Sequence, residues 1–340
     1  MANTNVLAFA ESRGGELRRA ALEAVTAARG VADATGGQVH ALLARKPEAG
    51  GAEAGSAVAA LKAHGADVVL LLVGPGFENY NPEALAATIA ARISTGGYRA
   101  AFFVASAQGR DLAPRVAAKC QLPIASDVTE FSVTADAVAV KHPGYTGKVI
   151  QSFTLRAPTA ILSLRPGAVL PKTPEAGSAE AGGVVEKIAS AIDPSSVRVV
   201  VTSTVRNEGA KLDLAVAPVI LSGGRGLKEA ANFKLVEDLA AAFGNAAVGA
   251  TRAVTDDGWR PHSDQIGQTG RLVSPQLYVA CGISGAIQHL AGMRTSRTIV
   301  AINRDKEAPI FKIADYGIVG DVLEILPVLT AAVKEAKKGA

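Results

Sequence analysis

The sequence predicts an α/β protein with two domains: an N-terminal, nucleotide-binding-like parallel sheet with an antiparallel addition, and a C-terminal, doubly wound parallel sheet. The first observation is the length, because 340 residues suffice for about two domains with a core each. The second is a regular alternation of apolar runs with helical patterns in both halves of the chain. Runs that are apolar on both faces and separated by helices indicate parallel strands covered on both sides.

The N-terminal half begins with four strands that alternate with helices. We predict strands at Val6–Ala10, Val39–Ala44, Asp67–Val73 and Ala100–Ala105, and helices at Glu16–Thr35, Ser56–His64, Pro82–Ile93 and Asp111–Lys119. Ser106–Arg110 follow the fourth strand at its carboxyl end, where open α/β sheets bind ligands. A capped connection between strand and helix is the simpler interpretation of these residues, and this domain shows no intact phosphate loop.

The pattern changes to short β segments between residues 124 and 165, which predicts the antiparallel addition. These segments are Ser126–Val133, Ala137–Lys141, Lys148–Leu155 and Thr159–Leu164. The Pro/Gly/Ala-rich residues 165–183 predict an irregular surface loop. Two more strands are expected at Val184–Ser190 and Val197–Val205. We place a domain hinge at the polar residues 206–216, so the predicted domains are residues 1–206 and 207–340.

The C-terminal half repeats the alternation and predicts a second parallel sheet. The expected strands are Pro218–Leu221, Ala246–Ala250, Gln276–Ala280, Thr298–Ile302 and Ile310–Asp315. The expected helices are Lys228–Phe243, one that follows Gly285 and ends at Met293, and Gly320–Lys334. Residues 251–270 are predicted to form a long loop.

Six glycine-rich or polar segments follow the strands of this second sheet. They are Ser222–Gly226 with Arg225, Thr251-Arg252, Gln265–Gly270, Gly282–Gly285 leading to Gln288 and His289, Asn303, and Asp321. Each has a simple explanation by itself, such as a tight turn, a structural histidine, a turn-forming Asn or an N-capping Asp. Because the carboxyl ends of parallel strands share one edge, a common ligand explains them better. Free N–H groups and the dipole at a helix N-terminus favour a pyrophosphate there.

Composition excludes several classes of protein. Two cysteines exclude a disulfide framework or a Cys-based zinc site, and the five histidines lack metal-ligand spacing. A net charge of +4 with scattered Lys and Arg, and only 4% aromatic residues, argue against nucleic-acid binding. No apolar run has membrane-spanning length, and the N-terminal run lacks a signal-peptide pattern. We therefore expect a cytoplasmic, bacterial protein without membrane insertion.

The segment LYVACGISGAIQHLAGMRTSRTIVAIN, residues 277–303, resembles the signature of the electron transfer flavoprotein alpha subunit. SGGRGLK, IGQTG and EAPIFKIADYGIVGD are similar to the surrounding family blocks in order and spacing. The resemblance is near-continuous from about Pro218 to Leu329, and looser in the N-terminal domain through LAPRVAAK and SDVTEF. It implies a heterodimer in which the N-terminal domain packs on a beta subunit. It also implies FAD on the C-terminal domain and AMP or a second FAD in the beta subunit.

The resemblance also implies which residues bind FAD. The flavin or its chain would be contacted by Arg225, Thr251 and Arg252. The isoalloxazine would be lined by Ile266, Gly267, Gln268 and Thr269, with Thr269 near N5. The pyrophosphate would be held by Ser284, Gly285, Ala286, Ile287, Gln288 and His289, with His289 near O2, and the adenosine end by Asn303, Asp321 and Val322. A positive charge on Arg252 and His289 would stabilise the negative charge that a reduced ring gains, by about 1–4 kcal/mol.

The function implied is that of an electron carrier and not of an enzyme with its own substrate. Such a carrier accepts electrons from flavin dehydrogenases, such as the acyl-CoA dehydrogenases of fatty acid oxidation, and passes them to a quinone oxidoreductase or another acceptor. The loops hold no Ser/His/Asp triad, paired acids, thiolate or metal cluster. Two alternatives remain: a dinucleotide-dependent enzyme on the same C-terminal architecture, and a regulatory nucleotide-binding protein built on the N-terminal sheet.

Overall fold

The computed structural model describes residues 3–46, 52–134, 136–172, 184–203 and 212–338. The chain divides into two compact units: unit 1 contains residues 1–144 and 150–206, and unit 2 contains residues 145–149 and 207–340. Of the predicted hinge, residues 206–211 lie outside the described part, and residues 214–216 form a turn. The hinge and the exact domain boundary therefore stay predictions.

Unit 1 is built on a seven-stranded parallel sheet. The first twelve strands of the chain are β1 (Asn5–Phe9), β2 (Ser12–Arg13), β3 (Glu16–Leu17), β4 (Val39–Arg45), β5 (Val68–Val73), β6 (Tyr98–Val104), β7 (Ile124–Val128), β8 (Glu130–Val133), β9 (Val138–Gly144), β10 (Val149–Leu155), β11 (Ala160–Leu164) and β12 (Val184–Ile188). The large sheet has the order β12-β5-β4-β1-β6-β11-β7. Successive residues of β1 enter different cores, Val6 and Ala8 on one face and Leu7 and Phe9 on the other, which confirms a sheet covered on both sides.

Four helices cover this sheet. They are α1 (Arg19–Thr35), α2 (Ala52–Ala63), α3 (Pro82–Thr95) and α4 (Ala107–Cys120). A side-chain cap explains where α3 begins, and a small hairpin explains where α1 begins. The side chain of Asn81 caps α3 by accepting from Ala84 N at 3.1 Å, and Pro82 takes the first helical position. The predicted helix from Glu16 starts only at Arg19, because β2 and β3 form a small hairpin around Gly14 and Gly15, both with positive φ.

The antiparallel addition is smaller than predicted. It is a three-stranded sheet in the order β10-β9-β8. The predicted segment Ser126–Val133 divides into β7, in the parallel sheet, and β8. Thr159–Leu164 was expected in the addition, and this is wrong: β11 runs parallel between β6 and β7. All five residues of β11 are buried, as expected for a strand covered on both faces.

Two further expectations for unit 1 need correction or lie outside the described part. The predicted strand Val197–Val205 does not form over residues 197–203, where Val199 and Val200 are exposed and pair with no strand. An apolar run alone cannot specify a strand without a sheet edge to pair with. Of the predicted loop 165–183, residues 165–172 are irregular, and residues 173–183 lie outside the described part.

Unit 2 is a doubly wound, five-stranded parallel sheet, as predicted. Its strands are β13 (Val219–Gly223), β14 (Ala246–Ala250), β15 (Leu277–Cys281), β16 (Thr298–Asn303) and β17 (Tyr316–Val319), and its helices are α5 (Phe233–Phe243), α6 (Arg252–Asp256), α7 (Ile287–Met293) and α8 (Val322–Lys338). The strand order is β14-β13-β15-β16-β17. Two hydrophobic clusters fill the two faces, one around Ile220 and Tyr278 and the other around Leu221 and Val279.

Three element predictions in unit 2 are corrected. The strand expected at Ile310–Asp315 is wrong: Pro309–Lys312 form a 3-10 turn, and the last strand is β17. Proline provides no N–H for a strand ladder, and Ile310 is buried in the core. The helix expected from Lys228 begins at Phe233, after two 3-10 turns. The predicted loop 251–270 contains α6. Throughout the described ranges, no helix is long and apolar enough to cross a membrane.

Candidate functional site

The winding of the sheet in unit 2 creates a crevice at one edge. The chain leaves β13 for β14 on one side and then returns to β15 on the other side of β13. Where the winding direction reverses in this way, the two connections diverge, and ligands bind outside the carboxyl ends of the two strands. The segments at this position are residues 223–228 after β13 and residues 282–286 after β15, which include two of the six predicted segments.

The loops after β13 and β15 contact each other backbone to backbone. Gly224 N donates to Cys281 O at 2.9 Å, and Gly226 N donates to Gly282 O at 3.0 Å. A Cβ on Gly224 would lie 2.4 Å from Gly282 O, and a Cβ on Gly226 would lie 2.6 Å from Gly282 Cα. Any side chain at these positions would push the loops apart. The glycines of SGGRG therefore serve close packing, and together these loops form a fixed rim.

A third loop, residues 265–270, is fixed to the same rim. Ile266 N donates to Ala250 O at 2.9 Å, in an isolated parallel bridge beside the end of β14. Gln268 N donates to Gln288 O at 2.7 Å. The side chains of Gln268, Thr269 and Gln288 are exposed. The structure thus brings the predicted segments IGQTG and SGAIQH together and leaves their polar side chains accessible.

The hydroxyl of Thr269 has a defined environment. Gln265 Nε2 donates to Thr269 Oγ1 at 3.0 Å, and Thr255 Oγ1 donates to Gln265 Oε1 at 3.1 Å. Gln265 and Thr255 are buried, so they hold the Thr269 hydroxyl from the protein interior. Because the hydroxyl oxygen of Thr269 already accepts a hydrogen bond, its own proton is the group that it offers to a ligand.

His289 is buried and neutral, in contrast to the positive charge expected from the sequence. Tyr278 Oη donates to His289 Nε2 at 2.8 Å, and His289 Nδ1 donates to Ile266 O at 3.0 Å, in the tautomer that satisfies both contacts. Burial lowers the pKa of His289 to about 4. The imidazole therefore carries no charge at neutral pH, and it connects the core strand β15 to the loop that holds Thr269.

Two of the predicted arginines are exposed cationic groups at this edge. Thr251 N donates to Gly223 O at 3.1 Å, which places the Thr251-Arg252 pair beside the loop after β13. The side chain of Arg252 is 65% exposed and bonds Asp256 through Nε at 3.1 Å. Arg225 is exposed as well. Both guanidinium groups are therefore accessible from solvent at this edge.

Residues 284–288 form a short, largely exposed segment at the start of α7. Ser284, Ala286, Ile287 and Gln288 are exposed, whereas Gly285 is buried. Ala286 is the N-cap and supplies no side-chain hydrogen bond. With only seven residues, α7 sums few peptide dipoles, so individual N–H groups matter more here than the helix dipole.

Asn303 and Asp321 lie at the carboxyl ends of β16 and β17. Asn303 Nδ2 donates to Ile283 O at 2.8 Å, which ties the end of β16 to the loop after β15. Asp321 accepts from Leu323 N at 2.9 Å, as expected for an N-cap, and from Lys228 Nζ at 3.0 Å. The Leu323 amide and Lys228 hold the pKa of Asp321 below its usual value. The side chain of Val322 is buried, so Val322 offers a ligand its backbone.

The predicted site residues thus lie at the carboxyl edge of one sheet, on the loops, at the end of β16 and in the first turns of α6, α7 and α8. Which of them touch a ligand stays a prediction. Three supporting residues were not predicted: Tyr278, Thr255 and Lys228. A tyrosine inside an otherwise apolar strand is a signal for Tyr278, because a buried hydroxyl needs a partner. Cys281 is also buried, and burial raises the pKa of its thiol to about 12. Within the described ranges, no group of three or more His, Cys, Asp or Glu could hold a metal ion.

The sequence of this chain has clear relatives among known proteins. Residues 6–192 match the model of the electron transfer flavoprotein domain, and residues 213–294 match that of the electron transfer flavoprotein FAD-binding domain. An electron transfer flavoprotein subunit alpha of Bacillus subtilis is 38% identical over 97% of each chain. One from Mycobacterium leprae is 39% identical over 98% of this chain and 99% of its own. A putative thiamin diphosphate-dependent enzyme from Mycobacterium smegmatis has a TM-score of only 0.22 at 15% identity, over 91% of this chain and 53% of that chain.

Proposed function

Because this chain belongs to the electron transfer flavoprotein alpha-subunit family, we propose that it is the FAD-binding subunit of an alpha–beta heterodimer. It carries electrons from flavin dehydrogenases to a separate acceptor. The observation that carries this proposal is the convergence of six predicted segments on one rim at the carboxyl edge of the C-terminal sheet, two of them where its winding reverses.

The residues at the rim fit FAD in their chemistry. The exposed amides and hydroxyl of Gln268, Thr269 and Gln288 can bond the polar edge of an isoalloxazine ring. Peptide N–H groups of residues 284–288 suit a pyrophosphate. Asn303 and the backbone at residues 321–322 suit a ribose and its adenine. FAD itself supplies the one-electron and two-electron chemistry when it is bound.

The chain's own residues would position the ring and tune its potential. Thr269 is held by Gln265, so it can offer its proton without reorganising. The guanidinium groups of Arg252 and Arg225 would favour added negative charge on the ring. His289 is neutral and would act as a rigid support, because it bonds the carbonyl of Ile266 directly behind the loop.

The finer assignments follow from the same proposal. The donors would be flavin dehydrogenases such as acyl-CoA dehydrogenases, which links the protein to fatty acid oxidation, and the acceptor would be a quinone oxidoreductase. The beta subunit would hold AMP or a second FAD and pack on the N-terminal domain, in the cytoplasm of a bacterium. The protein would turn over no substrate of its own.

Co-expression with a beta-type subunit tests the proposal. We expect a yellow complex with one FAD on the alpha subunit, which a reduced flavin dehydrogenase bleaches and a quinone-linked acceptor restores. Cofactor extraction followed by chromatography gives the FAD content, and stopped-flow absorbance gives the transfer. A colourless complex that binds only ATP or NAD would favour an alternative function.

A further inference from the structure

The sheet of unit 1 encloses a separate cleft at its own carboxyl edge. Its winding reverses at β1: the chain first adds β4 and β5 on one side and then β6 on the other. A cavity of about 850 Å³ lies at this position, within the usual size of small-molecule sites. Its walls come from the segments that follow β1, β4, β5 and β6, which are Phe9–Gly15, residues 44–46, residues 77–80 and Ala107-Gln108. This is where an open parallel sheet binds a ligand.

Basic side chains line the cleft. Arg13, Arg45 and Lys46 are positive, against the carboxylates of Glu11 and Glu78. Both carboxylates already accept hydrogen bonds, Glu11 from the hydroxyl of Ser106 and Glu78 from Gly76 N at 2.8 Å. Three cations against two engaged carboxylates leave a net positive cleft, which suits an anion.

The start of α4 adds donors to the same wall. Ser106 caps the helix by accepting from Gly109 N at 3.0 Å. Ala107 and Gln108, the first two helical residues, line the cleft, and N–H groups at these positions have no acceptor within a helix. α4 has 14 residues, so its dipole adds to the attraction for an anion.

The opposite part of the cleft is apolar and aromatic. Phe77, Leu85 and Phe9 are almost fully buried and form its floor. Tyr80 is half-buried and is fixed by a hydrogen bond from its hydroxyl to Asp111 Oδ2 at 2.8 Å. A flat, apolar ring would find a rigid surface here, about as a base does on aromatic side chains.

We propose that the cleft bounded by residues 9–15, 44–46, 77–80 and 107–108 binds a nucleoside monophosphate. The phosphate lies against Arg13, Lys46 and the first amides of α4, and the base lies over Phe77 and Tyr80. The combination of one anion site and one apolar surface within about 850 Å³ matches a nucleotide better than a free phosphate or a simple organic acid. This site is distinct from the FAD rim, and it does not depend on the proposed electron transfer.

Photolabelling of the alpha–beta complex tests this site. The probe is 8-azido-AMP, with AMP, adenosine and inorganic phosphate as competitors, and mass spectrometry locates the label on peptides of the alpha chain. We expect label on residues 9–15, 44–46 or 75–85, displaced by AMP at concentrations at least tenfold lower than by adenosine or phosphate. Displacement by adenosine as effective as by AMP would overturn the proposal, because it would show that the phosphate is not recognised.

Variants separate the cleft from other surfaces. Arg13→Glu with Lys46→Glu reverses two exposed charges, and Ala107→Trp blocks the mouth with an exposed bulky ring; we expect each to lower the labelling of these peptides at least tenfold. Lys119→Glu is the matched control, since Lys119 is exposed in the last turn of α4, at the opposite edge of the sheet. Its labelling should equal that of the wild type. Unchanged labelling in the charge-reversed variant, or no label in the cleft of the wild type, would overturn the proposal. The FAD content of each complex shows that the variants are folded.

Discussion

The two parallel sheets reverse their winding in the same way but treat the resulting edge differently. In unit 2 the loops at the reversal close on each other, with Gly224 and Gly226 packed on the backbone of Gly282. In unit 1 the corresponding loops stand apart around a cavity of about 850 Å³. The closed edge displays polar groups along a rim, which suits a long ligand such as FAD. The loops at the open edge of unit 1 surround a cavity, which suits a compact ligand. We therefore expect the topology to set where a ligand binds and the glycines to set the shape of the binding site.

The largest effect is expected from a methyl group added to the closely packed loops of unit 2. Gly224→Ala would place Cβ 2.4 Å from Gly282 O, and overpacking of this kind costs about 3 kcal/mol. We expect an approximately hundredfold weaker retention of FAD, measured by dialysis of the complex. Gly74→Ala is the matched control at the open edge, where the nearest atom to a new Cβ is Phe77 Cδ2 at 3.8 Å. Equal FAD retention in both variants would contradict the role of close packing.

The buried histidines sharpen the comparison. Each unit pairs one with a tyrosine: His289 with Tyr278, and His40 Nδ1 with Tyr98 Oη at 2.7 Å. Burial lowers the pKa of both. The second nitrogen of His289 bonds Ile266 O, in the loop that holds Thr269. His40 Nε2 has no hydrogen-bond partner among the described residues.

Replacement of His289 should remove part of the acid sensitivity of the protein. With a pKa of about 4 in the folded state and about 6.5 when unfolded, the unfolded chain binds the extra proton below pH 6.5, so stability falls as the pH falls from 6.5 to 4. The wild type should lose roughly 3 kcal/mol more than His289→Gln over this range. Urea unfolding at several pH values measures the difference. Parallel pH profiles would show that His289 is not a buried neutral base.

Thr269 tests the donor at the rim. Thr269→Val keeps the shape and removes the hydroxyl, so FAD would lose one hydrogen-bond donor. A donor that bonds the reduced ring about 1 kcal/mol more strongly than the oxidised ring raises the potential by about 40 mV for one electron. We expect the FAD potential to fall by that amount in Thr269→Val and to be retained in Thr269→Ser, as measured by spectroelectrochemistry. A fall of equal size in both variants would mean that Thr269 acts through its packing.

Arg252 should have the smallest effect. Its side chain is 65% exposed, so solvent screens its charge and reduces its contribution to the first-electron potential to at most about 1 kcal/mol. We expect Arg252→Gln to lower that potential slightly at low salt and Arg252→Lys to restore it. Because screening grows with ionic strength, the difference should vanish in high salt. A shift that is independent of salt would require a different cause.

The sequence predicts the parallel strands well and their partners less well. β1, β4 and β6 are apolar on both faces, and such runs specify a covered strand locally. β11 has the same composition, but its place beside β6 depends on distant residues, and it was assigned to the antiparallel addition. Pro309 and buried Ile310 also show that an apolar run can form a core-filling turn and leave the edge strand to the exposed residues 316–319.

The sequence likewise predicts some features of the candidate site and not others. The resemblance and the shared sheet edge point to the loops, and the structure brings those loops together. The charge state of His289 was not predictable, because burial between Tyr278 and the carbonyl of Ile266 arises from separate strands and loops. The function of the glycines in SGGRG likewise depends on Gly282, 56 positions after Gly226 in the sequence.

Amide hydrogen exchange of the complex, with FAD bound and after its removal, tests the central claim most directly. Exchange reports local opening segment by segment. We predict slower exchange with FAD in the peptides that cover residues 222–228, 265–271 and 282–289, and no change in residues 9–15 or 77–80. Protection by FAD at the cleft of unit 1, or no protection along the rim of unit 2, would contradict the assignment of FAD to this rim.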